Sequence, residues 1–417
     1  MALANPMALA RMLTPVQRRT FVAAFLGWTL DAFDFFIVTF VLKDIGEEFH
    51  LEATTIVWAI TVTLLCRPIG ALIFGTLADR YGRRGPLMAS ILLYSAFELA
   101  TGFASSFTIL VVLRALYGVA MGGEWGVGAA LSLESMPAEA RGFFSGVLQQ
   151  GYATGFLLAA IVFYLVEPHF GWRAMFFVGA SPALLVLYIR SQIPESEAWK
   201  EQKLKRHGET GNLARAFARQ PGLFIYAIVL MAAFNFMSHG SQDLYPTFLR
   251  VQHGFNPITT TTLAVIANVG AICGGTFFGG FSQRIGRRRA IITSALIGIL
   301  VIPLWAFAPS TALLAVGAFL IQFFVQGAWG VVPVHLNELS PGDVRGTFPG
   351  LTYQFGNAVS AFSAQIETNF AKNTFPLPNG TANYGEALAV IMVVVFLVVA
   401  GVTALGKERR GVDFASD

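Results

Sequence analysis

Charge is scarce in this chain. Only 12% of its 417 residues are Asp, Glu, Lys or Arg, about half the share of an average soluble protein. Hydrophobic residues supply 55%, and the mean hydropathy is +0.62. This composition excludes an ordinary soluble domain and predicts an integral membrane protein whose surroundings are a lipid bilayer. Cysteine is nearly absent. Cys66 and Cys273 lie in separate apolar runs, which argues against a disulfide framework and a cysteine metal site. A glycine-rich phosphate loop, a Ser/His/Asp set and paired-cysteine spacing are also missing, so neither ATP-driven transport nor an enzyme with a cofactor is expected. The basic residues gather at the edges of apolar runs without a basic–aromatic groove, and nucleic acid is not an expected partner. No cleavable leader is expected either, because the first apolar run is too long and too acidic inside.

What the chain does have is length in its apolar runs and a duplication. Runs long enough to cross a bilayer fall near 20–42, 55–78, 87–105, 107–134, 141–166 and 172–192, then near 221–249, 259–281, 289–308, 311–338, 345–370 and 384–406. The second six repeat the first at an offset of 204 residues. Gly75, Arg80, Gly82, Arg83 and Arg84 return as Gly279, Arg284, Gly286, Arg287 and Arg288, and Glu134, Pro137, Arg141 and Gly142 return as Glu338, Pro341, Arg345 and Gly346. An in-register duplication in an apolar chain points to a transporter built from two parallel halves. The expected fold is an all-α membrane protein with twelve transmembrane helices in two pseudo-symmetric six-helix bundles. Its parts are a tail at 1–19, a bundle at 20–192, a polar linker at 193–220, a bundle at 221–406 and a tail at 407–417. The linker is expected to form a surface helix. Of the 28 Lys and Arg residues, 22 fall on the side of the termini, four on the other side, and Arg67 and Arg114 within spans. That bias predicts that both termini are cytoplasmic. Asn379-Gly-Thr381, a glycosylation sequon, reads as plain outer loop.

The Gly75–Arg84 stretch resembles the loop between helices 2 and 3 of major facilitator superfamily transporters, and 279–288 resembles its second copy. Pro194-Glu195-Ser196 is similar to the run that often follows helix 6 there. In span 7, Asn235-Phe-Met-Ser238-His239-Gly-Ser241-Gln242-Asp243-Leu-Tyr-Pro-Thr247 matches N-x-x-S/T-H-x-S/T-Q-D-x-x-x-T. That pattern resembles the signature of Jen-type lactate/pyruvate permeases in the sialate:proton symporter branch. The resemblance implies a secondary transporter of monocarboxylates with a proton as coupling ion. The short loops resemble bacterial members, which implies a bacterial inner membrane, and a monomer is expected to suffice.

Mid-membrane charge is costly and usually faces a cavity and a partner. Arg67, beside Pro68 and inside an apolar run, carries a fork that matches a carboxylate. It is the candidate receptor for an anion, with a permanent ion pair to Asp31 or Asp34 as the alternative. The resemblance adds to the first reading, since Jen-type permeases place an arginine in this helix. Asp31 and Asp34 lie at i, i+3 in span 1. Two carboxyls so close in a low dielectric are not both comfortably ionised, and one is a candidate proton carrier. Glu124 is a second candidate, near the ridge Gly118-xxx-Gly122-xxx-Gly126. Arg114-x-x-x-Gly118 resembles a motif of proton-coupled members. Glu98 has no partner legible in the sequence. In span 7, Asn235, Ser238, His239, Gln242 and Asp243 cover an arc of roughly 140°. This stripe either lines a cavity or bonds to a neighbouring helix. His239 is expected to meet a carboxylate and to rival the acids as proton carrier, with Asp243 orienting it at i+4.

At the cytoplasmic edge, Asp79, Arg80, Arg83, Glu134 and Arg141, with Arg284, Glu338 and Arg345, are expected to form ion-pair latches between the halves. Asp79 would pair with a basic helix end, and Arg141 and Arg345 would mainly mark topology. Gln283 replaces the acid in the second copy, where a weaker latch is expected. These residues predict proton-coupled uptake of a small monocarboxylate by alternating access. The alternatives are a symporter for a larger acid, such as sialic or an aromatic acid, and a non-transporting nutrient sensor on the same scaffold.

Overall fold

The computed structural model describes residues 6–51, 53–56, 58–205, 212–378 and 380–414. Asn379 of the sequon and residues 206–211 of the linker lie outside them. Among the described residues, nine stretches are long and apolar enough to cross a bilayer. One of them, Arg141–Ile189, begins and ends at the same end of the molecule. Arg141 bonds the tail carbonyl of Val412, and Gln192, just past the other end, bonds Arg19. The chain reverses at Gly171, whose φ of 73° is open to glycine at no steric cost. This stretch is therefore two crossings. Arg84–Thr101 and the broken pair Phe348–Ser360 and Ser363–Asn369 complete the expected twelve.

Span 1 is Pro15–Phe49, started by a capping box on Thr14 and Gln17. Span 2 is Trp58–Tyr81, span 3 is Arg84–Thr101, and span 4 is Phe107–Glu134 with a break at Gly122–Gly123. Spans 5 and 6 share Arg141–Gln192. Span 7 is Pro221–Val251 with a break after Gln242, span 8 is Pro257–Ile285, span 9 is Arg287–Phe307 and span 10 is Thr311–Leu339. Span 11 is broken at Ala361–Phe362, and span 12 is Tyr384–Leu405. The linker holds two short helices, Glu197–Lys205 and Leu213–Arg219, where one was expected.

The duplication is visible in contacts as well as in letters. A Cβ on Gly70 would strike the carbonyl of Val119, and one on Gly274 would strike that of Phe323. Both pairs stand 204 residues apart. Within each half, a glycine thus lets spans 2 and 4, or 8 and 10, meet backbone to backbone. Between the halves, Gly126 lies against Gly350, and Gly146 against Gly275 and Gly279. Ser145 bonds the Gly330 carbonyl at 2.9 Å and accepts from the Val334 amide at 3.0 Å. These close approaches bring the bundles together at the end that carries the termini and most of the basic residues, referred to below as the basic end.

Candidate functional site

Between the bundles lies a cavity of about 470 Å³. Trp28 of the first half and Trp329 and Tyr353 of the second are among the aromatic rings that line it. Trp125 and Trp329, equivalent positions of the repeat, lie 4.8 and 5.8 Å from the Tyr353 ring, and Trp28 lies 6.2 Å from Trp125. Arg67 and Gln149 join the lining from the first half. From the second half come all five residues of the span 7 stripe. Polar side chains on an apolar helix are thus explained by a cavity at their face.

Arg67 is 3% exposed, and its Nη2 stands 3.6 Å from Asp31 Oδ2, beyond a hydrogen bond. Both alternatives for this arginine therefore meet in one place, since it pairs with Asp31 and lines the cavity. Asp34 does not line the cavity. It is buried on the face of span 1 that packs near Gly179 and Glu98. Glu98 finds its partner in Arg114, at 2.6 Å. Arg114 also lies 3.8 Å from the centre of the Tyr117 ring. Glu124 is buried against Gly27, where a Cβ would collide with its carboxylate, and it too lies outside the cavity lining.

On the stripe, His239 Nδ1 meets Asp243 Oδ2 at 3.0 Å, as the i+4 spacing predicted. Its Nε2 meets Asn357 Oδ1 of span 11 at 3.3 Å, a partner that the sequence did not reveal. Gln242 donates to Gln322 of span 10 at 2.9 Å, and Gln322 donates to Ser241 Oγ at 3.0 Å. Asn235 Nδ2 returns to the Met231 carbonyl at 2.8 Å, which leaves its Oδ1 as the acceptor. Asn357 and Gln322 went unrecognised although other polar residues, Gln354 and Gln326, stand near them on the same spans. A signal was available in span 10, where Gln322 and Gln326 share a face at i, i+4 and both line the cavity; 204 residues before Asn357 and Gln322 stand Ala153 and Gly118, so neither is inherited from the duplication.

The basic end is sealed, with opposite charges facing each other across the seam, Glu134 towards Arg345 and Arg141 towards Glu338, and a backbone contact adds to the expected latch. Asp79 reaches the backbone of the opposite half. Its carboxylate accepts from the Gly346 amide at 2.7 Å, the Thr347 amide at 3.0 Å and Thr347 Oγ1 at 2.5 Å. It thereby caps the start of span 11 from the opposite half, where orphan amides favour an anion. Arg83 ties Asp79 and Glu134 together, each at 2.9 Å. The second copy repeats the arrangement. Arg287 holds Glu338 with two bonds of 2.9 and 3.0 Å, and Gln283 Oε1 accepts from the Gly142 amide at 3.2 Å. Arg80 is exposed over the Tyr81 ring and Arg284 is exposed too. Arg141 and Arg345 are buried rather than simple topology marks. They lie 3.8 and 4.3 Å from the centre of the Phe414 ring, one from each half.

Two six-helix bundles around a cavity lined by aromatic and polar side chains, closed at one end, have the architecture of a membrane transporter. The model of the Major Facilitator Superfamily matches residues 3–364, and the chain belongs to that family. A carboxylic acid transporter protein homolog of Saccharomyces cerevisiae is 31% identical over 443 residues, covering 99% of this chain and 71% of that protein. The sialic acid transporter NanX of Escherichia coli is 30% identical over 374 residues, covering 88% and 90%. Among solved structures, the proton:xylose symporter XylE aligns with a TM-score of 0.74 at 19% identity, over 95% of this chain and 97% of that one. At that identity the likeness establishes the fold alone.

Proposed function

We propose that this protein is a proton-coupled symporter of small monocarboxylates, with lactate or pyruvate as substrate, working by alternating access across a bacterial inner membrane with both termini in the cytoplasm. The observation that carries the reading is Arg67. It is an always-charged fork on the cavity wall whose ion partner, Asp31, is too distant for a hydrogen bond. Substrate carboxylate and Asp31 compete for one guanidinium. A proton on Asp31 frees Arg67 for the substrate, so anion and proton enter together. The stripe of Asn235, Ser238, His239 and Gln242 receives the remainder of the substrate, and its match to the Jen-type signature supports a hydroxy or keto acid. The names of the yeast and Escherichia coli relatives, transporters of carboxylic and sialic acids, support an organic acid more broadly.

A second reading, a larger organic acid, is favoured by the cavity itself. About 470 Å³ lined by Trp28, Tyr152 and Trp329 exceeds the needs of a three-carbon acid and offers faces on which a ring can stack. Uptake into proteoliposomes under an inward proton gradient separates the two. Labelled pyruvate accumulating, and competing better with lactate than with sialic acid or nicotinate, supports the first reading. Uptake of the larger acids alone replaces it with the second, and absence of any gradient-driven uptake removes proton symport.

A further inference from the structure

The two ring nitrogens of His239 both face oxygen. Nδ1 stands 3.0 Å from the Asp243 carboxylate and Nε2 stands 3.3 Å from the amide oxygen of Asn357. A neutral imidazole has one N–H and one lone pair, so it satisfies only one of these acceptors. Both are satisfied when both nitrogens carry protons. In the neutral ring, Nδ1–H stays on Asp243, and Nε2 becomes an acceptor that meets an oxygen lone pair. The asparagine amide relieves that clash by turning about its own axis, because its NH₂ and C=O occupy nearly the same volume. Asn357 is 5% exposed and lines the cavity beside His239. Whichever amide atom is not on the imidazole is therefore the one offered to the cavity.

We infer that Asn357 is a positioning residue whose side-chain amide turns over with the protonation of His239, so that the cavity wall offers an N–H donor when the ring is charged and a carbonyl acceptor when it is neutral. The donor form suits an anionic carboxylate or a keto oxygen, and the acceptor form repels them. Proton binding at one residue is thus converted into anion selectivity at another, across two helices. The surroundings keep the charge decision local. Asp243 comes from the histidine's own span, and Glu367 from span 11, bonded to Ser363 at 2.9 Å, is close enough to add its field. Span 12 contributes the apolar Ile391 and Met392 behind Gly240. Arg67 and Asp31 lie in the first half of the cavity wall and its backing.

This inference deepens the proposed function and rests on it for the substrate, but its decisive measurement needs none. The full-length protein is labelled with ¹⁵N at asparagine and histidine in lipid nanodiscs, and spectra are recorded from pH 5 to 9. Asn357→Leu and His239→Gln assign the two signals by their loss. The expected result is that the Asn357 side-chain NH₂ signal changes at the same pH as the His239 ring signals, and is pH-invariant in His239→Gln. A pH-invariant Asn357 signal in the unmodified protein, or a His239 ring that never changes protonation, overturns the switch. A second arm measures pyruvate binding by calorimetry across the same range. Measured in an Asp31→Asn background, which removes the competition for Arg67, affinity is expected to fall at least about tenfold from acid to alkaline pH, roughly what one charge-assisted hydrogen bond supplies, and by distinctly less once Asn357→Leu is added. Retention of the full dependence in Asn357→Leu counts against the inference. If pyruvate fails to bind at any pH, the substrate reading fails while the spectra still decide the switch.

Discussion

At the scale of single residues, Arg67 and the pair Glu98–Arg114 show what a sequence discloses about buried charge. Arg67 was legible because one guanidinium in an apolar run has little reason to be there except a cavity or a counter-charge, and it has both. Glu98 was illegible because its partner lies on a neighbouring span, and nothing in the order of residues states which faces of spans 3 and 4 meet. Two outcomes follow. Arg67→Lys keeps the charge but loses the planar fork, so calorimetry on the purified variant should show at least about a tenfold loss of affinity for pyruvate. Near-normal affinity would remove Arg67 as the carboxylate receptor. Arg114→Leu strands Glu98 at 0% exposure without its ion partner, and breaking a buried pair on one side costs about 3–5 kcal/mol. The variant should therefore melt well below the unmodified protein in detergent, while Glu98→Gln, which keeps a hydrogen-bonding side chain of the same shape, should recover much of the loss. Equal melting of Arg114→Leu and the unmodified protein would show that the pair is not structural. Asp31 is tested differently, since its role is coupling. Asp31→Asn should lose uptake driven by a proton gradient and keep substrate exchange, and if His239→Gln alone shows that split, the coupling proton belongs to span 7.

At the scale of elements, span 7 was the most legible helix and the basic loops the least. The polar arc predicted one face of span 7, and the cavity is where that arc points. Phe234, off the arc, is 0% exposed and packs on Trp329 with centroids 5.4 Å apart. In a background lacking Cys66 and Cys273, Ser238→Cys and Gln242→Cys should react with a small water-soluble thiol reagent, and Phe234→Cys should not. Labelling of the phenylalanine position instead would mean that the helix is rotated from the arrangement described. The loops were less legible because charge counting treats every Asp–Arg combination as a possible bridge and cannot see a backbone partner. Asp79, besides its pair with Arg83, turns its carboxylate to the backbone amides that open span 11, a target with no letter of its own in the sequence. The same geometry explains how Gln283 serves at the equivalent place: a neutral amide oxygen accepts from the Gly142 backbone as a carboxylate would, with less electrostatic gain.

At the scale of the whole molecule, twelve spans, the repeat and the seam between two halves were legible, because bilayer thickness and duplication both leave periodic marks. The state of the transporter was not, since it depends on which end is closed, and the closure uses the tail. After span 12 the chain turns along the basic end. Glu408 accepts from the Arg288 amide at 3.0 Å and Gly411 donates to Glu338 at 3.1 Å. These bonds echo Glu195, which accepts from the Arg83 and Arg84 amides at 2.8 and 3.1 Å, and Ser196, which donates to Glu134. The tail thus does for the second half what the linker does for the first, although the two segments do not stand 204 residues apart. It then crosses the seam. Phe414, 1% exposed, lies between Arg141 and Arg345. Arg141 donates to the Val412 carbonyl at 2.6 Å, and Arg345 and Gln202 donate to that of Phe414 at 3.0 and 2.7 Å. Opening this end must pull Arg141 from Arg345, so the ring leaves at least one of them. Each desolvated cation–π contact is worth about 1–2 kcal/mol, and losing it should shift the balance between the two states by about tenfold. Phe414→Ala is therefore expected to favour opening of the basic end. Spin labels at Glu139→Cys and Asp343→Cys, across the seam in the cysteine-free background, should report a longer second distance in Phe414→Ala that is rare in the parent. A distance distribution unchanged by the substitution would show that the tail merely rests on the seam and does not hold it shut.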